Sequence, residues 1–185
     1  MRSQRERMLS GERYNANDPE LVESRWACQR LLEVFNATRA DDERSRHVLH
    51  QVIGSLGESS VVLPRFQCDY GTQITIGANC FVNYDAILLD CASIAIGDNV
   101  SIGPRAQLVT ALHPVDDHDA RRAGWESASP IVIGDNVWLA AGVIVGPGVT
   151  IGANSVIGAG SVVISDIPAH VLAAGNPCRI IRGLT

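Results

Sequence analysis

Residues 130–165 predict a parallel β-helix, and three observations carry that prediction. An aliphatic residue returns at every sixth position: Ile133, Leu139, Val145, Ile151, Ile157 and Val163. Four places after each of the first five stands a small or β-branched residue: Val137, Val143, Val149, Ser155 and Ser161. Glycine follows the aliphatic position at Gly134, Gly146, Gly152 and Gly158, with Ala140 taking that slot once. A fixed hexapeptide period is the signature of a solenoid coil, whereas an amphipathic helix repeats near 3.6 and a lone strand near 2. In such a coil the aliphatic residue points inward, the small residue lets the corner close, and glycine supplies backbone freedom at the bend.

The elements before this stretch are of a different kind. Residues 1–56 predict helices that cover the open end of the coil, as solenoids require. Gln4–Ser10 is a short helix stopped by Gly11. Asp18-Pro19-Glu20 supplies an N-cap, a proline for the first helical position and an acid at the positive helix end. Leu21, Cys28, Leu31 and Phe35 recur at helical spacing, with Trp26 and Leu32 beside them, until Asn36-Ala37-Thr38 breaks the pattern. A third helix is predicted from about Ala40 to Ile53, ending at Gly54. The alternative for Tyr14 to Arg25 is that they also form one wall of a ligand site.

From Ser59 the texture becomes β-like, through Val61-Val62-Leu63, Ile74-Thr75-Ile76-Gly77 and Ile94-Ala95-Ile96-Gly97. The spacing from 76 to 96 reads as one turn of three hexads plus two residues, and that from 96 to 133 as two turns plus one. The repeat therefore slips near Asn83–Cys91 and between Thr110 and Pro130. Insertions in a solenoid become loops, and loops on a rigid scaffold carry function. The second slip, TALHPVDDHDARRAGWESASP, is polar and long for a compact domain. At its base His113 is held extended by Pro114. The predicted organisation is a cap at 1–56 and a coil domain at 57–185, with a protruding loop at 110–130 and a tail at 168–185.

Composition narrows the function classes. Net charge is −5 and the sequence pI about 5.5, which argues against a nucleic-acid binder. No apolar run reaches the roughly 18 residues of a membrane span, and no apolar leader follows the charged N-terminus. Cys28, Cys68, Cys80, Cys91 and Cys178 show no metal spacing. They predict reduced thiols in a cytoplasmic protein.

The run CDYGTQITIGANCFVNYDAILLDCASIAIGDNVSIGP, with TALHPVD, the hexads of 130–163, AAGNPCRIIR and the N-terminal MLSGERYNANDPEL, closely resembles the maltose/galactoside O-acetyltransferase family. The nodulation acetyltransferases are similar. The resemblance covers nearly the whole chain. It implies a left-handed β-helix, a homotrimer with active sites between subunits, and acetyl transfer from acetyl-CoA to a sugar hydroxyl without a metal ion. A direct ternary reaction fits better than an acetyl-enzyme, since no cysteine matches a family nucleophile.

The resemblance also places roles on residues. His113 becomes the general base that takes the hydroxyl proton, against the alternative of an idle loop histidine. Asn83, in FVN, becomes a donor to the developing oxyanion, against the alternative of an asparagine that holds a tight corner. Asp69 and Asp90 match positions near the acceptor sugar, where carboxylates accept from hydroxyls. The acid that often follows the second of these is here Cys91. Arg25 matches a cap arginine that reaches toward substrate, or is a solvated helix arginine. Glu126 resembles a loop acid near the histidine, or is an exposed carboxylate. For the coenzyme, Ala141, Ala159, Ile164 and Ser165 would flank the pantetheine arm, and Arg179 and Arg182 would meet the phosphates. Relatives often carry Thr-Lys where Ile164-Ser165 stand. Trp138 either flanks the coenzyme channel or packs against a neighbouring subunit.

Three rivals remain in view. An antibiotic O-acetyltransferase would share coil and histidine, but the cap at residues 8–25 speaks for sugar. A non-catalytic scaffold would need the hexads but neither His113 nor Asn83. A γ-class carbonic anhydrase would need three zinc ligands, and no histidine lies between His50 and His113.

Overall fold

The computed structural model describes every residue except Met1 and Ala40. Three helices come first. Helix α1, Gln4–Leu9, opens on a capping box in which Ser3 and Glu6 satisfy each other's backbone amides. Helix α2, Pro19–Ala37, begins at the expected Asp18 cap with proline at its start, and buries Leu21, Cys28, Leu32 and Phe35. Leu32 rather than Leu31 thus completes the buried stripe, and Trp26 stays in solvent. Helix α3, Glu43–Val52, is capped by Asp42, whose carboxylate accepts from the Arg44 amide. The predicted start of this helix at Ala40 lies outside the described residues. No helix among the described residues is long and apolar enough to cross a membrane.

The rest is a three-faced coil of parallel strands. The first face stacks Ser55–Leu56, Ile74–Ile76, Ile94–Ile96, Ile131–Ile133 and Thr150–Ile151. The second stacks Val61–Val62, Phe81–Val82, Ser101–Ile102, Trp138–Leu139, Val156–Ile157 and Val171–Ala174, and ends on Arg179–Gly183, which returns antiparallel. The third stacks Gln67–Cys68, Ile87–Leu89, Gln107–Val109, Ile144–Val145 and Val162–Val163. The strand Ser55–Leu56 already pairs with Thr75–Ile76, so the coil begins directly after α3.

The predicted inward residues are the core. Ile133, Leu139, Val145, Ile151, Ile157 and Val163 are all buried, as are the small corner residues Val137, Val143, Val149, Ser155 and Ser161. Leu32, Phe35, Leu49, Val52 and Ile53 of the helices join the same cluster, so the cap plugs the lower end with apolar surface.

The hexad glycines act differently from expectation. The left-handed backbone falls two residues later, on Asn136, Gly142, Gly148, Asn154 and Gly160. Asparagine and glycine tolerate that region best. The glycine next to the aliphatic residue is there for close approach: a Cβ on Gly152 would lie 2.3 Å from the Ala169 nitrogen in the coil above.

Register also corrects the coil count. Ile76 pairs with Ile96, 20 residues on, and Ile133 with Ile151, 18 residues on. Ile96 pairs directly with Ile133, 37 residues on, in a single coil rather than two turns. Gln107 and Leu108 likewise pair with Ile144 and Val145. The surplus residues all leave from one corner, between the third and first faces: Asp69–Gln73, Asp90–Ser93 and the excursion from Thr110 to Pro130. Asn83 stands elsewhere, at the regular corner between the second and third faces, and not at a slip.

Candidate active site

The surplus corner gathers most of the predicted chemistry. Buried Thr110 anchors the excursion, its hydroxyl donating to the Leu89 carbonyl and accepting from the Ala92 amide. The excursion is not a structureless loop. Ala111–Leu112 pairs antiparallel with Trp125–Ala128, which pairs in turn with Tyr14–Asn15 of the N-terminal segment. Between them lies helix α4, His118–Arg122, capped by Asp117. Arg121 donates to the carbonyls of Pro114 and Val115 at 2.7 and 2.9 Å, closing the chain around His113.

His113 and Glu126 come together here. The imidazole Nδ1 lies 3.6 Å from Glu126 Oε1, with the histidine side chain 61% exposed and the glutamate 17%. Glu126 Oε2 accepts from the Tyr14 hydroxyl at 2.9 Å. Tyr14 is completely buried, and burial raises its pKa, with Cys91 and Glu126 adding in the same direction, so the phenol keeps its proton. Met8, Leu21, Tyr70, Cys91, Ala92 and Ala128 pack around it in a second small core beside the main one.

Asp69 faces the same cluster. Burial raises its pKa, while the Cys91 thiol and Arg25 hold it down, and Cys91 Sγ donates to its Oδ2 at 3.5 Å. Arg25 is not a solvated helix arginine: it donates to the Tyr70 hydroxyl at 2.7 Å and to the Ala16 carbonyl at 2.8 Å. Asp90 departs from expectation. It is fully buried, and its two oxygens accept from the amides of Asp69, Tyr70 and Gln73. Burial pushes its pKa up to about 6 against the pull of backbone amides. With no exposed surface and three main-chain amides around it, Asp90 staples the corner and is out of reach of a sugar hydroxyl in this chain.

The remaining residues divide between two corners. Ala141 and Ala159 stack on the corner between the second and third faces, where the Gly160 amide donates to the Ala141 carbonyl. Nothing lies within 4 Å of a Cβ built on Gly142 or Gly160, which leaves an open ridge with bare backbone. Asn83 belongs to this corner, and its Oδ1 accepts from the Tyr84 amide. The left-handed residue that turns its coil is Asp85, not Asn83. Arg179 pairs with Ala174 in the coil above Gly158, at the head of the ridge. Arg182 lies away from the ridge, by Asn136, Asn154 and His170. Ile164 and Ser165 are on the surplus corner above Gly146, across the third face from the ridge. Trp138 is half exposed on the second face, between Ser101 and Val156 of adjacent coils.

Tyr14, Tyr70 and Cys91 pack beside the side chains of the surplus corner. The sequence brings in Tyr14 only within the segment to Arg25 and Cys91 only as standing in an acid's place, and Tyr70 carries no local signal of burial.

Known proteins agree with this architecture. The maltose acetyltransferase hexapeptide capping motif matches residues 7–57, the hexapeptide repeat of succinyl-transferase 73–104, and the six-repeat bacterial transferase hexapeptide 130–165. Nodulation protein L of Rhizobium meliloti (strain 1021) is 43% identical over 180 residues, covering 97% of this chain and 98% of its own. This chain belongs to the maltose/galactoside family of hexapeptide-repeat O-acetyltransferases. It is an acyltransferase. A maltose O-acetyltransferase structure from Clostridium difficile 630 superposes with a TM-score of 0.96 at 48% identity, covering 100% of this chain and 98% of the other. A hexapeptide-repeat acetyltransferase from Vibrio cholerae O1 biovar eltor, solved with acetyl coenzyme A, gives 0.92 at 40% identity with complete coverage of both.

Proposed function

We propose that this member of the family transfers acetyl from acetyl-CoA to a sugar hydroxyl, in a homotrimer whose sites lie between subunits, with His113 as general base. The observation that carries this reading is the pairing of His113 with Glu126. Nδ1 faces the carboxylate, so Nε2 is left for the acceptor's hydroxyl proton. The sheltered acid stabilises the imidazolium that forms, and the exposed imidazole meets the substrate. An alcohol attacks a thioester poorly at neutral pH, and a base in reach of its proton contributes ~10²–10⁴ in rate. The acid at 3.6 Å is longer than a hydrogen bond, as catalytic contacts without substrate often are.

Asp69 and Arg25 line the acceptor side, the first as acceptor for sugar hydroxyls, the second as the guanidinium that keeps Tyr70 and the cap in place. The ridge of Ala141, Gly142, Ala159 and Gly160 suits the pantetheine arm because no side chain stands above its backbone. The position of Arg179 at the head of the ridge supports a contact with phosphate. Ile164 and Ser165 would touch the arm from the other side of the third face.

Asn83 supports the assembly. Its Oδ1 is engaged by main chain, which leaves the NH₂ group to donate to an oxyanion. It stands across the third face from His113, separated by roughly 15 Å of extended backbone at about 3.3 Å per residue. A base and an oxyanion donor act on one reaction centre, so this separation supports a site completed by a second copy. Light scattering that reports a monomer with full activity would end this part of the reading.

The deciding experiment is acetyl-CoA consumption, read as free-thiol release, across sugars and hydroxylated antibiotics. We expect a sugar-dependent signal that drops by ~10²–10⁴ in His113→Ala while CoA binding persists. Unchanged turnover in that variant would remove the base assignment. A signal with antibiotics alone would change the acceptor class, and loss of all CoA binding by the unaltered protein would favour a scaffold.

A further inference from the structure

We infer that Tyr14 is a positioning residue for the transfer reaction: acting through Glu126, it fixes the imidazole of His113, so the N-terminal cap sets the catalytic base. This rests on the reading of His113 as base. Tyr14 and Glu126 are direct register partners in the antiparallel pair, so their side chains share one face. One carboxylate therefore spans two environments. Its Oε2 is bound at 2.9 Å by a phenol with no exposed surface, and its Oε1 faces an imidazole open to solvent.

The neighbouring groups explain why a neutral donor is needed there. Glu126 and Asp69 are close enough for the glutamate to raise the pKa of Asp69. Two neutral donors are shared out between the two acids: Cys91 Sγ to Asp69, the Tyr14 hydroxyl to Glu126. Arg25, from α2, is engaged by Tyr70 and Ala16. No other side-chain hydrogen bond to Glu126 is found among the described residues. Without the phenol hydroxyl, the glutamate loses the contact that selects its rotamer, and His113 loses a fixed partner.

The cap segment is itself held against the excursion. The Ala16 amide donates to the Gly124 carbonyl at 2.8 Å, and Asn15 Nδ2 to the Ala123 carbonyl at 2.9 Å. The guanidinium groups of Arg7 and Arg13 lie 5.9 and 5.8 Å from the Trp125 ring centre. Tyr14 therefore reaches the base from a fixed support.

Tyr14→Phe keeps the buried ring and removes only the hydroxyl. We expect kcat to fall about tenfold, the rate equivalent of one hydrogen bond, with both KM values within about twofold. Glu126→Gln should lower kcat in the same manner, and the double variant should be no slower than Glu126→Gln alone, because both act along one path. Asn36→Ala, which removes the cap's hydrogen bonds to Phe66 and touches neither Glu126 nor the support of Tyr14, should retain wild-type kcat. The inference falls if Tyr14→Phe keeps full kcat, if the two losses multiply, or if Asn36→Ala slows turnover equally. His113→Ala, measured alongside, separates the two failures. Turnover retained there removes the base reading itself; an inactive His113→Ala beside a fully active Tyr14→Phe removes only the role of Tyr14.

Discussion

Two corners of the same coil have been put to opposite uses. The corner between the second and third faces keeps strict hexad length, and in its upper coils it carries alanine and glycine and presents bare backbone. The corner between the third and first faces absorbs every surplus residue of the coil and presents His113, Glu126 and Asp69, backed by buried Cys91 and by Tyr14 of the cap. A regular corner can hold a long flexible ligand along its length, because each coil repeats the same shallow step. A catalytic constellation needs residues at unequal heights and angles, which a strict repeat cannot supply. The difference teaches that in this coil the breaks in period gather the proposed base and its neighbours, while the unbroken period holds Asn83 and the bare ridge.

Substitutions can break that comparison. The largest expected effect is at Asp90, the staple beneath the surplus corner. Asparagine keeps one acceptor oxygen where aspartate has two, so one backbone amide would face an NH₂ group, at about 1–3 kcal/mol. The pH dependence sharpens this. Burial raises the folded pKa of Asp90 from 3.8 to about 6. The raised value means its protonated form is favoured by folding, so its contribution to stability is fully present below about pH 4 and is lost as pH rises through about 6. The unfolding free energy of wild type minus that of Asp90→Asn should therefore shrink by up to about 3 kcal/mol between pH 4 and 7. Urea titrations at both pH values measure it, and a constant difference would refute the buried-carboxylate account.

The ridge should respond next. A Cβ on Gly103 would lie 2.7 Å from the Ala140 carbonyl carbon and the Ala141 nitrogen, so Gly103→Ala must push the ridge coil outward. We expect about 1–3 kcal/mol of destabilisation, seen as a lower Tm, with a raised KM for acetyl-CoA. Gly160→Ala is the milder case. Space is open around it, so only the left-handed backbone opposes the methyl, at about 1–2 kcal/mol. Its KM for acetyl-CoA should rise while the acceptor KM stays put. Equal rises in both would mean that the ridge does not hold the donor.

The fold was legible because a six-residue period over six hexads survives any single exception. The coil count was not, since the span from 96 to 133 reads equally as two coils or as one coil with an excursion. Only the pairing of Ile96 with Ile133 decides between them. The excursion was recognised by its polarity, but its hairpin was hidden because a third strand, Tyr14–Asn15, comes from more than 100 residues away. The sequence singles out His113, Glu126, Asp69 and Arg25 as candidates, and the structure brings all four together. Asp90 differs from the expected sugar contact because nothing in LLDC shows its burial or the three amides that surround it. Asn83 was put at a slip because spacing alone locates a surplus only to within a hexad.

The antiparallel return of Arg179–Gly183 has a consequence for the far end of the coil. A parallel coil that simply stopped at Val171–Ala174 would offer its last strand as a template, and identical molecules could stack on it end to end into a filament. The returning strand occupies that edge and reverses its polarity, with arginines at positions 179 and 182. On the second face the edge offered to another copy is thereby reversed and carries arginine, which opposes the in-register stacking that a parallel edge invites.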